Sequence, residues 1–138
     1  MDIKRVIRLV IFCAMACFSA ALQQAAEING LVGEYYANRT LEGQPVYRLD
    51  EKIDFDWENN SPMDNIPADS FSVRWSGFIR VPETGRYTFY VKSDDGARVW
   101  IDGELVFDYW LAQSATERSF EIDMVAGKQY SIRVEYYE

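Results

Sequence analysis

From about position 30 onward, apolar and polar residues alternate with period two along almost the whole chain. That pattern restricts the fold to stacked β-sheets. Ile53, Phe55 and Trp57 alternate with Asp54, Asp56 and Glu58, and Phe71, Val73 and Trp75 with Ser72 and Arg74. Tyr87, Phe89 and Val91 are spaced by Thr88 and Lys92, and Phe120, Ile122 and Met124 by Glu121 and Asp123. Tyr130, Ile132, Val134 and Tyr136 alternate with Ser131, Arg133 and Glu135. Successive side chains on a strand point to opposite faces, so each run buries one face and wets the other. Turn residues punctuate the runs: Pro82-Glu83-Thr84-Gly85, Asp102-Gly103 and Ala126-Gly127. Asp-Gly suits a two-residue type I′ hairpin, in which both central residues take positive φ. No window carries a helical stripe. The expected fold is all-β, an antiparallel two-sheet sandwich or barrel.

The N-terminus has a different character. Lys4, Arg5 and Arg8 precede an apolar run from Leu9 to Phe18, and small residues Ser19, Ala20 and Ala21 follow. This order predicts a secretory signal peptide over 1–21, cleaved after Ala21, with 22–29 as a linker and 30–138 as the domain. The apolar run is shorter than the roughly 20 residues a membrane-spanning helix needs. An exported protein without a membrane span is therefore expected. Both cysteines, Cys13 and Cys17, fall in the leader, so the mature domain lacks thiols for a disulfide or a zinc site. Cleavage removes three cations and one acid, Asp2, moving the formal charge from −8 to −10. So acidic a surface repels nucleic acid and anionic lipid, and leaves divalent cations and neutral glycans as partners. The absence of histidine excludes Ser-His-Asp and Cys-His nucleophile systems.

One stretch departs from alternation: Ser93-Asp94-Asp95-Gly96-Ala97-Arg98-Val99-Trp100-Ile101-Asp102-Gly103. Two adjacent carboxylates sit at a turn between strands. An extended trans step would send them to opposite faces, whereas a cis step or a tight turn brings them to one side. Repelling charges held together suggest a bound cation. The competing expectation is a purely structural turn, because Asp side chains bond nearby backbone N–H groups.

The domain resembles the PA14 family, the β-sandwich module first noted in the protective antigen of a bacterial toxin. The resemblance lies in Gly30-Leu31-Val32-Gly33-Glu34-Tyr35-Tyr36, in Phe71-Ser72-Val73-Arg74-Trp75-Ser76-Gly77, in Gly85-Arg86-Tyr87-Thr88-Phe89-Tyr90, in the Ser93–Gly103 stretch and in residues Lys128 to Tyr137. It implies a two-sheet antiparallel module of glycosidases, adhesins, toxins and cell-surface signalling proteins. In the fungal adhesins of the family, two successive aspartates joined by a cis peptide hold calcium, and the calcium holds sugar hydroxyls. Asp94 and Asp95 match that pair, which makes them the expected Ca2+ and sugar ligands. Calcium takes about six to eight oxygens at roughly 2.3–2.6 Å, so carbonyls, waters and sugar hydroxyls would complete the shell. The family's further asparagine loop and closing strand would fall after Glu138, so a domain truncated at its C-terminus is expected.

Other features carry less. Trp100, Trp110 and Tyr109 are expected to pack rather than stack on sugars, Trp100 in the core between Val99 and Ile101. Asp50, Glu51, Asp54, Asp56 and Glu58 form an acidic run expected to be the solvated face of a strand. A glycosidase pair needs carboxylates about 5–9.5 Å apart across a sugar, which adjacent residues do not readily provide. Neither Asp108 nor Glu104 is marked as a partner for Asp94, so no catalytic residues are expected. The function expected is a secreted or cell-surface carbohydrate-binding module that binds glycans or cell-surface polysaccharide, with calcium as its cofactor. The alternatives are a non-catalytic structural or protein-interaction module, and an accessory domain of a larger glycoside hydrolase.

Overall fold

The computed structural model describes residues 6–12 and 29–138. Among them are ten strands and no helix: β1 (Val6–Phe12), β2 (Leu31–Tyr36), β3 (Val46–Asp50), β4 (Asp54–Asp56), β5 (Ser72–Arg80), β6 (Gly85–Ser93), β7 (Ala97–Ile101), β8 (Glu104–Tyr109), β9 (Thr116–Met124) and β10 (Gln129–Tyr137). They form a four-stranded sheet in the order β4-β1-β6-β9 and a six-stranded sheet in the order β3-β2-β5-β10-β7-β8. Every pairing is antiparallel. The two-sheet all-β architecture expected from the alternation is therefore the one found. The Asp102-Gly103 turn joins β7 to β8 with φ of 49° and 80°, as a type I′ turn requires.

Part of the expected leader lies within the described residues. Val6–Phe12 overlaps the basic and apolar parts of the expected leader, yet it forms a strand between β4 and β6. Ile7 is fully buried there, and the Leu9 N–H donates to the Ile53 carbonyl at 2.9 Å. The rest of the expected leader, its cleavage point and both cysteines lie outside the described residues.

The inner faces of the two sheets meet in one core. Trp75, Tyr35, Phe71, Phe89 and Tyr136 are all fully buried. Burying a large apolar side chain stabilises a fold by roughly 1.5–3 kcal/mol, so a core of this size can hold a domain without disulfides. Phe55 stacks on Trp57 at 4.9 Å, Trp57 meets Phe71 edge-on at 5.3 Å, and Tyr136 lies 5.8 Å from Trp57. This aromatic train fixes the C-terminal end of β10.

On the outer face of the larger sheet, strict parity corrects two expectations. Val99 and Ile101 face the core, so Trp100 between them must face outward. It is half-buried there, with the Arg133 guanidinium 3.9 Å above its ring. Glu135 also points outward, but it is only 4 % exposed. Arg74 and Arg98, its neighbours across β5 and β7, cover it at 3.0 and 2.9 Å. A shallow trough of about 570 Å³, bordered by Val32, Phe78, Trp100 and Arg133 over Ser76 and Ser131, runs beside them.

Candidate cation site

The end of β10 sits between two neighbours, and their loops set the site. On one side the ladder with β7 runs past Ala97: the Tyr137 N–H donates to the Gly96 carbonyl at 3.1 Å, and the Asp95 N–H to the Tyr137 carbonyl at 3.3 Å. On the other side the Glu138 N–H donates to the Phe71 carbonyl at 3.0 Å, just before β5. Glu138 is thereby drawn to the loop that carries the two aspartates. The Asp94-Asp95 peptide bond is cis. One carboxylate oxygen from each of Asp94, Asp95 and Glu138 lies within 4.8 Å of the others. Asp94 is 7 % and Glu138 9 % exposed.

Gly96 allows this approach. A Cβ at that position would stand 2.4 Å from Cε1 of Tyr137 and 3.2 Å from the Leu111 nitrogen. The loop between β8 and β9 closes over Asp95. The Gln113 backbone N–H donates to Asp95 Oδ1 at 2.9 Å, and its side-chain amide donates to Ser93 Oγ at 3.1 Å and to the Asp95 carbonyl at 3.2 Å. Arg118 in turn donates to the Gln113 amide oxygen at 2.6 Å. Arg39, from the loop between β2 and β3, donates to Asp95 Oδ2 at 2.6 Å.

Tyr136 lies beneath the acids. Its hydroxyl donates to the Asp94 carbonyl at 2.5 Å and stands 3.1 Å from Glu138 Oε2. Burial, then the negative charge of Glu138, Asp94 and Asp95, pushes this phenol far above its ordinary range. Tyr137 is also pushed up, by burial and then by Asp95, with Arg39 opposing. Each tyrosine therefore remains a neutral hydrogen-bonding group at physiological pH.

The donor set suits a hard cation. Its atoms are carboxylate oxygens, and the described domain offers neither the thiolates nor the imidazoles that zinc prefers. Asp94 and Asp95 were legible in the sequence, whereas Glu138, Gln113 and Arg39 were not. Glu138 had a usable signal. It continues the inward parity of Val134 and Tyr136, and an acid at an inward position needs a partner. Nothing local marks Gln113 or Arg39, because both arrive from distant loops. Asp108 and Glu104 lie on β8, opposite Arg98 and Ile101, and do not join the cluster. Trp110 packs edge-on against Tyr137 at 4.7 Å, and Tyr109 carries Arg118 at 3.5 Å, so both pack as expected.

Of the acidic run, Glu51, Asp54, Asp56 and Glu58 are exposed as expected. Asp50 is not: it is 6 % exposed and accepts hydrogen bonds from Tyr35, Trp75 and Arg48. The register of β3 explains this: Asp50 pairs with Leu31, on the same face as Gly33 and Tyr35, and the Tyr35 ring reaches back past Gly33 to it.

The sequence profile of the PA14 domain family matches residues 28–138. An anti-sigma-I factor of Acetivibrio thermocellus is 46 % identical over 110 residues, covering 80 % of this chain and 17 % of that protein. The solved structure of an anti-sigma factor domain-containing protein superposes with a TM-score of 0.77 at 46 % identity, over 80 % of this chain and 38 % of that one. A PA14 sugar-binding domain from an RTX adhesin shares the fold at a TM-score of 0.55 and 21 % identity, over 79 % of this chain and 82 % of that one. The chain thus spans about one sixth of the length of the curated anti-sigma relative.

Proposed function

The chain belongs to the PA14 domain family, a sugar-binding type of module, and from that membership we propose that it binds carbohydrate through a calcium ion held by Asp94, Asp95 and Glu138. The observation that carries this reading is the convergence of three carboxylates, two of them more than nine-tenths buried, in one loop cluster. Buried like charges are costly unless a counter-charge is close. Asp94, Asp95 and Glu138 would each give the ion one oxygen, and Gln113 fixes the orientation of Asp95 toward it. The ion would supply coordination positions to which vicinal sugar hydroxyls bind in place of water. The module itself is non-catalytic: it orients a glycan and breaks no bond.

We further read the module as exported, on the strength of the basic and apolar segment up to Ala21. Cleavage there would also release the Val6–Phe12 strand. The 46 % identity to an anti-sigma-I factor supports a role as the sensing portion of a longer signalling protein, in which glycan binding outside the cell is the input.

A glycan array probed in calcium and again in a chelator tests the proposal. Binding that disappears in chelator and in both Asp94→Ala and Asp95→Ala is the expected result. Glycan binding that survives the chelator and both substitutions would overturn the calcium mechanism, and failure to bind any glycan in calcium would overturn the carbohydrate reading.

A further inference from the structure

The acid cluster is met by a positive side chain of this same chain. Arg39 Nη2 bonds Asp95 Oδ2 at 2.6 Å, bridging the loop between β2 and β3 to the loop before β7. The base of that arm is well anchored. Asn38 accepts from the backbone N–H groups of Thr40 and Glu42 at 3.0 and 3.3 Å, and its own amide donates to the Glu42 carbonyl at 2.8 Å. The fully buried Ser72 donates to the Asn38 carbonyl at 2.6 Å and accepts from the Leu41 N–H at 3.1 Å. The other end reaches solvent: the Arg39 side chain is 47 % exposed, its guanidinium 4.9 Å above the Tyr137 ring.

We infer that Arg39 is a tethered competitor for the cation, occupying Asp95 until a divalent ion displaces it. This rests on the calcium reading above. Asp95 has two oxygens, and Oδ1 is already held by the Gln113 N–H, so Oδ2 is the oxygen better placed to ligate metal. That is the oxygen Arg39 covers. A guanidinium presents only N–H donors and cannot ligate a cation, so while it stands on this oxygen it takes one of its lone pairs and sets a positive charge at the metal's approach. Once displaced, it remains within a side chain's length of a doubly charged ion and repels it. Arg39 therefore lowers calcium affinity and favours divalent over monovalent ions, since a single charge gains too little from the carboxylates to replace it. When a divalent ion binds, the guanidinium gives up Asp95 Oδ2 and keeps only its place above the Tyr137 ring.

Calorimetric titration of the whole chain with calcium chloride tests this. Compare the natural protein with Arg39→Ala and Arg39→Lys, and read the calcium-induced rise in melting temperature in parallel. The expected result is an affinity about tenfold tighter for Arg39→Ala, as removal of one nearby positive charge implies. Arg39→Lys should fall in between, keeping the charge without the planar fork. The gap should narrow in ~1 M monovalent salt, where charges are screened beyond roughly 3 Å. Equal affinity in the natural protein and Arg39→Ala would overturn the competitor role and leave the calcium reading standing. Weaker binding by Arg39→Ala, at a metal-free melting temperature like the natural protein's, would also overturn it, making Arg39 a support of the site. Absence of calcium binding in all three proteins would overturn both.

Discussion

Asp50 and Asp94 are buried to nearly the same degree, 6 % and 7 % exposed, yet their surroundings are opposite in kind. Asp50 is encircled by donors. Tyr35 donates to it at 2.5 Å, Trp75 Nε1 at 2.7 Å and Arg48 Nε at 2.5 Å, and Arg48 also bonds the Tyr35 hydroxyl and the Pro62 carbonyl. Gly33 leaves the space for this knot, since a Cβ there would stand 2.7 Å from the Tyr35 ring and 2.8 Å from Asp50 Oδ2. Asp94 instead faces two more acids, with a neutral phenol on its carbonyl. A buried carboxylate amid donors ties a fold together, whereas one crowded by other carboxylates gains from any positive charge added beside it. The second kind can recruit a cation from solution.

Asp50→Ala gives the largest effect. It leaves a buried phenol, a buried indole N–H and a half-buried guanidinium without their acceptor, which costs roughly 3–5 kcal/mol. That is a large share of the about 5–15 kcal/mol that holds a typical domain folded. Urea denaturation should show this loss with or without calcium. Asp94→Asn, measured in chelator, should lose less than Asp50→Ala, because the amide keeps the shape and removes a repulsion among the three acids. Equal losses in the two variants would erase the distinction between a structural and a cation-seeking carboxylate.

Each of the two sites also holds a phenol whose ionisation reports on it. Tyr35 beside Asp50 is lifted far above the ordinary tyrosine range, first by burial and then by its hydrogen bond to Asp50. Tyr136 is lifted first by burial and then by the charge of Glu138, Asp94 and Asp95. Tyr36, on the outer face beside Glu34, is pushed up to about 12. Because these folded-state values exceed the unfolded value of about 10, their contribution is complete below pH ~10 and is lost as pH rises through the folded values. The slope is roughly 1.4 kcal/mol per pH unit for each phenol that ionises only on unfolding. Urea denaturation at pH 8 to 11 should show a plateau and then this decline. A bound calcium should shift the contributions of Tyr136 and Tyr137, whose hydroxyls lie beside the acids, and leave those of Tyr35 and Tyr36 unchanged. A decline that begins below pH 9 would contradict the neutral-phenol arrangement at both sites.

Period two made most of the fold legible. Seven of the ten strands, β4 to β10, coincide with runs marked by alternation or by the Asp-Gly hairpin, because parity is a local property of the backbone. Its failures were also local in cause. Asp50 looked like one more acid of a polar run, and only the pairing of β3 with β2 turned it toward Tyr35 and Trp75. Trp100 was assigned to the core by its apolar neighbours, although the same parity that buries Val99 and Ile101 sends it outward. Val6–Phe12 is apolar enough to serve either as a leader or as a strand, and composition alone does not separate the two. At the candidate site, the adjacent aspartates were visible because no strand explains two acids in a row. Glu138, Gln113 and Arg39 depend on contacts between residues 18 to 56 positions apart or on the end of β10, where the sequence carries no local mark.

Fully exposed aspartates complete the series and should give the smallest effect. Asp102 is paired with Lys128 at 3.0 Å and accepts from the Ser131 N–H at 2.9 Å, and Asp123 forks with Arg86 at 3.1 and 3.2 Å. The Lys128 ammonium holds the Asp102 carboxyl below the ordinary range, and the Arg86 guanidinium does the same for Asp123. A lowered folded-state value stabilises the fold above the unfolded value of about 4, and that contribution is lost as pH falls through the folded value. Water and salt screen these pairs, so the shift should be visible by NMR titration of the carboxyl carbons yet leave urea midpoints of Asp102→Asn and Asp123→Asn unchanged at pH 7. Asn also tolerates the positive φ that Asp102 adopts in the hairpin, which keeps the turn intact in that variant. A midpoint loss in Asp123→Asn comparable to that of Asp50→Ala would mean that ion pairing, rather than burial among donors, decides which aspartates hold this sandwich together.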